Sequence, residues 1–472
     1  MVIIERNSLS DVWQRRWQAL DHRLRQTERR LRQNVGDAHT SDVLLPLLSR
    51  LIVFATGQYR FFEDGFTARR FHNLAELREY PLDYVFRGVI NQSFNDLQVI
   101  EWATDQRLNG SDAMRAALHA ADQLAYAALE PAIAGKLLDD TTVITYFEKF
   151  ASIRILPYAN AALIGIPFSC IHTPQDFLAI PHEVGHYVFS RGKLPEGNLR
   201  KLLFAAYHAG DPRPDEVRDW IEEIAADVYG CLIAGPVIAL DFQDLQLEKS
   251  PKKFALDDGE HPAPVLRPVI YHKTLHRQGR AGKGQAWAEA LDAVWAYRRR
   301  QFQGHEIAAA QNSVAHNIVS PGVGLAAGYP VDRVVEAILD HLAPVMAYQR
   351  KENWWQPFRD LPLPQEVAGV TEAEMSDGRL AAIEQAIYEP FQNRLDSGKR
   401  QAYLLTSQLP TVEALDWVEI TANMDRRMPA WPAPFFEVAP PARRQAEKQE
   451  QWWVDVWIAQ GWNTYGNGQW IQ

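Results

Sequence analysis

Apolar residues recur at near-helical spacing over residues 8–33, where Val12, Trp13, Leu20, Leu24 and Leu31 stand among many arginines. The spacing predicts a helix with Ser10 as its N-cap and a basic face turned to solvent. Residues 41–55 are nearly all apolar and predict a second, buried helix. The aromatic-rich stretch 60–110 follows no single period. From 111 to 138 an Ala/Leu-rich run predicts a helix with a kink or break at Pro131.

The bias then changes. Residues 141–147 (TTVITYF), 152–156 (SIRIL) and 162–171 (ALIGIPFSCI) have the β-branched and aromatic content of strands, so a small sheet is expected here. Thr173-Pro174-Gln175-Asp176 reads as a helix start, with Thr as N-cap and Pro in the first turn. That helix is expected to run to about residue 190, with Pro181 imposing a kink or a restart. Another is expected from Pro214 to near Gly235-Pro236, and others over 264–276, 285–301 and 331–348. The glycine-rich loop 279–284 lacks the spacing and the Lys-Ser/Thr pair of a phosphate-binding loop. Beyond Trp354 proline and tryptophan become frequent. Residues 429–441 read as an extended connector, 442–459 as a helix, and the rest as a Trp/Gly/Asn tail. Three regions follow: a mainly helical 1–140, a mixed core at 141–348, and a Trp/Pro-rich 349–472.

A chain of 472 residues exceeds one ordinary core, and 47% hydrophobic with 23% charged residues is the balance of a folded protein. Its formal net charge of −10 argues against a nucleic-acid partner, which needs a basic surface. Cys170 and Cys231 are the only two cysteines, so neither a disulfide framework nor a thiolate metal cluster can be built. Any metal must rest on histidines and carboxylates. No apolar run reaches the roughly 20 residues of a membrane span. The amino-terminal MVIIERNSLSDVWQRR has no apolar signal core, and a cytoplasmic protein is expected.

The chemistry centres on His182-Glu183-Val184-Gly185-His186. Histidines four apart on a helix project from one face, so both imidazoles can reach one metal ion. Glu183 is rotated from the pair yet within reach of a metal-bound water as a base. Phe177, Ile180, Val184 and Val188 mark this helix as buried, where unpartnered histidines would be costly. A catalytic zinc needs a third protein ligand and an open position. Trp220-Ile221-Glu222-Glu223-Ile224-Ala225-Ala226-Asp227 offers one on a later helix. Glu223 and Asp227 share a face, so Glu223 can bind zinc while Asp227 steadies a ligand histidine. Glu222 is the rival ligand, but its neighbour four residues on is Ala226.

H-E-x-x-H followed on a later helix by E-x-x-x-D resembles the signature of the gluzincin peptidases. His261-Pro262-Ala263-Pro264-Val265-Leu266-Arg267 is similar to the His-Pro-x-x-x-x-Arg element of the HtpX-like and CAAX-prenyl endopeptidase family. The resemblance covers about residues 153–276. The resemblance implies an α+β, zincin-like core: a small sheet whose edge strand holds a peptide or protein substrate, beside an active-site helix. The strand at 162–171 would supply that edge. It also implies zinc on His182, His186 and Glu223, Glu183 as general base, His261 as oxyanion donor and Arg267 as its positioning residue.

The chain departs from that pattern in several places. The membrane helices of the best-known relatives are missing, and Pro181 directly precedes the first ligand. The interval from His186 to Glu223 leaves room for a surface loop over 191–214. Soluble regulatory peptidases of the ImmA/IrrE kind combine similar motifs and are competing relatives. The rival from another class is a non-catalytic zinc-binding scaffold, with the aromatic C-terminal region as its surface for a protein partner. The retained Glu183 favours an enzyme, because a structural site needs ligands but no base.

Overall fold

The computed structural model describes residues 6–34, 40–67, 82–156, 158–208, 220–247, 254, 261–278, 283–302, 330–357 and 361–397. The expected connector at 429–441 and helix at 442–459 lie outside them. The described residues form two compact units, one of residues 6–111 with Ile155–Ala161, the other of Asp112–Arg154 with residues 162–397. They are mostly helical, with one three-stranded sheet and one two-stranded hairpin. No helix among them is long and apolar enough to cross a membrane.

The first unit packs α1 (Arg6–Gln33), α2 (Leu45–Thr67) and α3 (Leu82–Asn109). The apolar stripe of α1 is its core face: Trp13, Leu20, Leu24 and Leu31 are all buried. Its arginines are not all left to water. Arg23 grips Glu101 of α3 through Nη2 and Nε at 2.6 and 3.1 Å, and Arg30 pairs with Asp105. These pairs are half-exposed, so each is worth at most about 1 kcal/mol. The packed stripe carries the stability.

In the second unit α4 (Asp112–Ala134) continues through Pro131, where a kink or a break was expected, so the helix is not broken there. Proline removes the N–H that would bond to the carbonyl four residues back. That carbonyl, of Ala127, instead accepts a hydrogen bond from Asn353 Nδ2 at 2.9 Å, so no buried acceptor is stranded. The three-stranded sheet has the order β1 (Thr142–Glu148), β3 (Ala161–Pro167), β2 (Ser152–Ile155). The strand expected to be the substrate-holding edge, β3, is therefore the central one. Six consecutive buried residues in β3 suit a strand covered on both faces. The chain leaves β3 at Pro167 for a 3-10 turn, Phe168–Ile171, rather than extending the strand. The outer side of β1 is closed by α4: Asp122 accepts from Thr145 N and Thr145 Oγ1 at 2.8 and 2.7 Å.

The helix expected over 173–190 is split at Pro181. A 3-10 turn, Pro174–Ala179, precedes α5 (Ile180–Arg191), whose first turn holds Pro181, where a missing N–H costs nothing. A short hairpin, β4 (Lys193–Leu194) and β5 (Gly197–Asn198), leads to α6 (Leu199–His208). Next comes α7 (Ile221–Ala234); the start expected for it near Pro214 lies outside the described residues. At Gly235, with φ of 69°, the chain turns into α8 (Pro236–Leu247) instead of leaving helix. Then follow α9 (Arg267–Gln278), α10 (Lys283–Arg298), α11 (Pro330–Leu342) and α12 (Asp377–Asp396). The pattern had not predicted α3, α6, α8 or α12, and the β4–β5 hairpin and α6 stand where a surface loop over 191–214 was expected.

Candidate metal centre

Helices α5 and α7 make the most extensive helix contact in the second unit, and glycines set how close they come. A Cβ on Gly185 would meet Ala226 Cα at 2.6 Å, and one on Gly230 would meet His182 N at 3.2 Å. Two small-residue contacts, about one helical turn apart on each helix, thus lay the backbones together. The consequence is local. The first turn of α7 is brought under the histidines of α5.

His182, His186 and Glu223 converge, each offering one ligand atom within 4.8 Å of the others. The two Nε2 atoms are 3.2 Å apart. Glu223 spans the pair, its Oε2 3.6 Å from His182 Nε2 and its Oε1 3.5 Å from His186 Nε2. Donors about 2.0–2.1 Å from a tetrahedral zinc stand about 3.3 Å from one another, so this spacing fits such an ion. The other ring nitrogens are engaged. His182 Nδ1 lies 2.9 Å from Asp227 Oδ1. His186 Nδ1 lies 3.2 Å from Glu222 Oε1. Each imidazole thereby has a carboxylate behind it and Nε2 facing the centre, the tautomer that metal binding requires.

Arg267, the first residue of α9, ties the acids together. Its Nη2 donates to Glu223 Oε2 at 3.1 Å and to Asp227 Oδ1 at 2.8 Å, while Nε donates to Asp227 Oδ2 at 3.0 Å. Tyr271, one turn further along α9, donates its hydroxyl to Asp227 Oδ1 at 3.0 Å. Phe242 of α8 lies 4.5 Å from the guanidinium carbon and stacks on Tyr271 at 4.7 Å. His261 also joins the cluster. Its Nε2 is 3.5 Å from Glu223 Oε1, and a third of its side chain is exposed.

Charge is unbalanced here. Glu183, Glu222, Glu223 and Asp227 bring four carboxylates against the one guanidinium of Arg267. Burial alone would raise Asp227, but Arg267 and His182 hold it down at about 2. Glu223 is lowered in the same way: burial opposes ionisation, and His186, Arg267, His182 and His261 outweigh it. Burial pulls His186 down, yet Glu223, Glu222 and Glu183 raise it to about 9. With carboxylates outnumbering the cations and two imidazole nitrogens facing one another, a divalent cation is the natural complement.

All seven residues singled out from the sequence, His182, Glu183, His186, Glu223, Asp227, His261 and Arg267, belong to this neighbourhood. Sequence reasoning set Glu222 aside, looking only four residues ahead for support. The legible signal was different: adjacent acids in one helical turn can serve two histidines one turn apart. Tyr271 could have been found as the same-face neighbour of Arg267, four residues on. For Phe242 the sequence holds no comparable signal. No protein-family model matches the chain, and no match to a curated protein or to a solved structure is found.

Proposed function

We propose that the chain is a zinc-dependent endopeptidase. The observation that carries this reading is the union of three converging metal-ligand atoms with a fourth acid, Glu183, on the turn between the two histidines. A purely structural site gains nothing from that acid, which adds negative charge to a buried place. Zinc is favoured by the donor set of two imidazoles and one carboxylate, which leaves a position open.

When bound, the metal supplies Lewis-acid polarisation of a carbonyl and lowers the pKa of its water. Glu183 would act as the base, accepting a proton from the attacking water and passing it to the leaving amine. His261, partly exposed beside Glu223, donates to the developing oxyanion. Asp227 and Glu222 hold the imidazoles. Arg267 compensates Asp227 and Glu223, so that both acids stay ionised in a buried setting.

The test is Glu183→Gln, assayed in parallel for metal content and for cleavage of a peptide library. Retained zinc, an unchanged melting temperature and cleavage lowered by at least about a hundredfold support the reading. Equal cleavage by the variant, or wild-type protein without stoichiometric metal, defeats it.

A further inference from the structure

The second unit holds a cavity of about 270 Å³ walled by Trp287, Trp354, Trp355, Phe391 and prolines that include Pro362 and Pro364. Its walls are built rather than incidental. The Trp355 indole donates to Leu124 O at 2.9 Å, its backbone N–H donates to Asn353 Oδ1 at 2.8 Å, and its carbonyl accepts from Gln349 at 2.8 Å. Trp354 stands edge-on to Trp355 at 4.8 Å, and Phe391 stacks on Trp355 at 6.0 Å. The three rings pack on one another and present a fixed aromatic wall to the cavity, pre-organised to receive a flat apolar group.

The one charge in this lining is Arg394, whose guanidinium carbon is 5.7 Å from the Trp354 ring. Arg394 is half-buried; the two buried arginines among the described residues of the unit are each met by two acids, Arg298 by Asp244 and Glu384, Arg267 by Glu223 and Asp227. Arg394 meets only neutral oxygens, Asn353 O at 2.7 Å and Gln356 Oε1 at 3.2 Å, and no carboxylate among the described residues pairs with it. Burial consequently lowers its pKa. The indole N–H of Trp287 likewise has no acceptor among the described residues. The lining is thus apolar with surplus donors and an uncompensated cation, and its complement is an apolar group carrying an anion.

We propose that this cavity binds a small aromatic monocarboxylic acid, the ring lying in the cavity against the wall formed by the indoles and Phe391 and the carboxylate on Arg394. A cavity of 150 Å³ holds benzene, so this one accommodates about a dozen non-hydrogen atoms. The site is separate from the metal centre and does not depend on the peptidase reading.

The test titrates the full chain with 3-phenylpropionate and with its neutral amide, followed by tryptophan fluorescence and calorimetry. Binding of the acid below about 1 mM and at least tenfold weaker binding of the amide are expected. Arg394→Gln should erase the difference between the two, and Ala386→Phe, which fills the cavity without touching the cation, should abolish both. Equal affinities for acid and amide, or no saturation by either, overturn the proposal. An acetylated tripeptide ending in phenylalanine that binds more tightly than the free acid overturns the free-acid assignment in favour of a chain terminus. If Arg394→Gln does not fold, the acid and amide compared on the unaltered chain still decide.

Discussion

Gly185 lies backbone to backbone against Ala226: a Cβ at position 185 would stand 2.6 Å from Ala226 Cα and 2.8 Å from its carbonyl oxygen. Neither atom can move without shifting α7, and α7 carries Glu222, Glu223 and Asp227. Gly185→Ala therefore pushes three acids away from two histidines. Alanine gains up to about 1 kcal/mol of helix propensity, but overpacking at a backbone contact costs about 1–3 kcal/mol. The expected result is a lower melting temperature together with lost metal, read by thermal unfolding and elemental analysis. A variant that melts as the unaltered chain does and keeps its metal would show that the close approach has no part in building the site.

His182→Ala and His186→Ala each remove a ligand and should leave the purified chain without stoichiometric metal. Glu222 separates a ligand from a positioning residue. Its carboxylate reaches His186 Nδ1 at 3.2 Å and is absent from the three converging ligands. Glu222→Ala should weaken metal affinity by about 10–100-fold without abolishing binding. Glu222→Gln, which can still accept from Nδ1–H, should lose less. Competition with a coloured chelator measures both. Complete loss of metal in Glu222→Gln would make Glu222 a ligand and Glu223 the supporting acid.

His261 stands 3.5 Å from Glu223 Oε1 on the segment before α9. A donor used chiefly in the transition state lowers kcat more than it raises KM when removed. His261→Ala is therefore expected to cost about a hundredfold or more in kcat with metal retained. Steady-state kinetics beside metal analysis decides. A change confined to KM would place His261 in substrate binding instead.

The residues of the candidate metal site were legible because their grouping is local in sequence and helix geometry converts it to space. His182 and His186 need only one turn of helix, and Glu223 with Asp227 needs one more. What joins those turns was not legible. The Gly185–Ala226 and Gly230–His182 contacts are tertiary, and a glycine inside a helix pattern carries no mark of its partner. The strand order was hidden for a related reason: β1 and β3 are both buried over six residues, so burial could not say which was central. The second start at Pro236 read as an end because a Gly-Pro pair stops one helix as readily as it opens the next. In α12 the stripe Ile383, Ile387 and Phe391 has helical spacing and a capping Ser376, but the surrounding prolines and tryptophans masked it.

Asp241 of α8 gives a test of the fold that does not involve the metal. Burial and then the charge of Asp244, with a smaller effect of Asp176, push its carboxyl up to about 7, against opposition from the Tyr388 hydroxyl and Arg298. An unfolded chain would release that proton near pH 4. Between these two values the folded state holds more protons than the unfolded state, so this group's contribution to stability falls as pH rises, until the side chain is ionised in both states above about 7. Asp241→Asn removes the charge while leaving an oxygen that can still accept from Tyr388. At pH 8 the variant should be more stable by on the order of 2 kcal/mol, and near pH 4 the two chains should melt alike. Denaturant unfolding at both pH values provides the measurement. Equal stabilisation at pH 4 and pH 8 would mean that the gain comes from packing, and destabilisation at pH 8 would mean that the ionised carboxylate is needed by Arg298 or Tyr388.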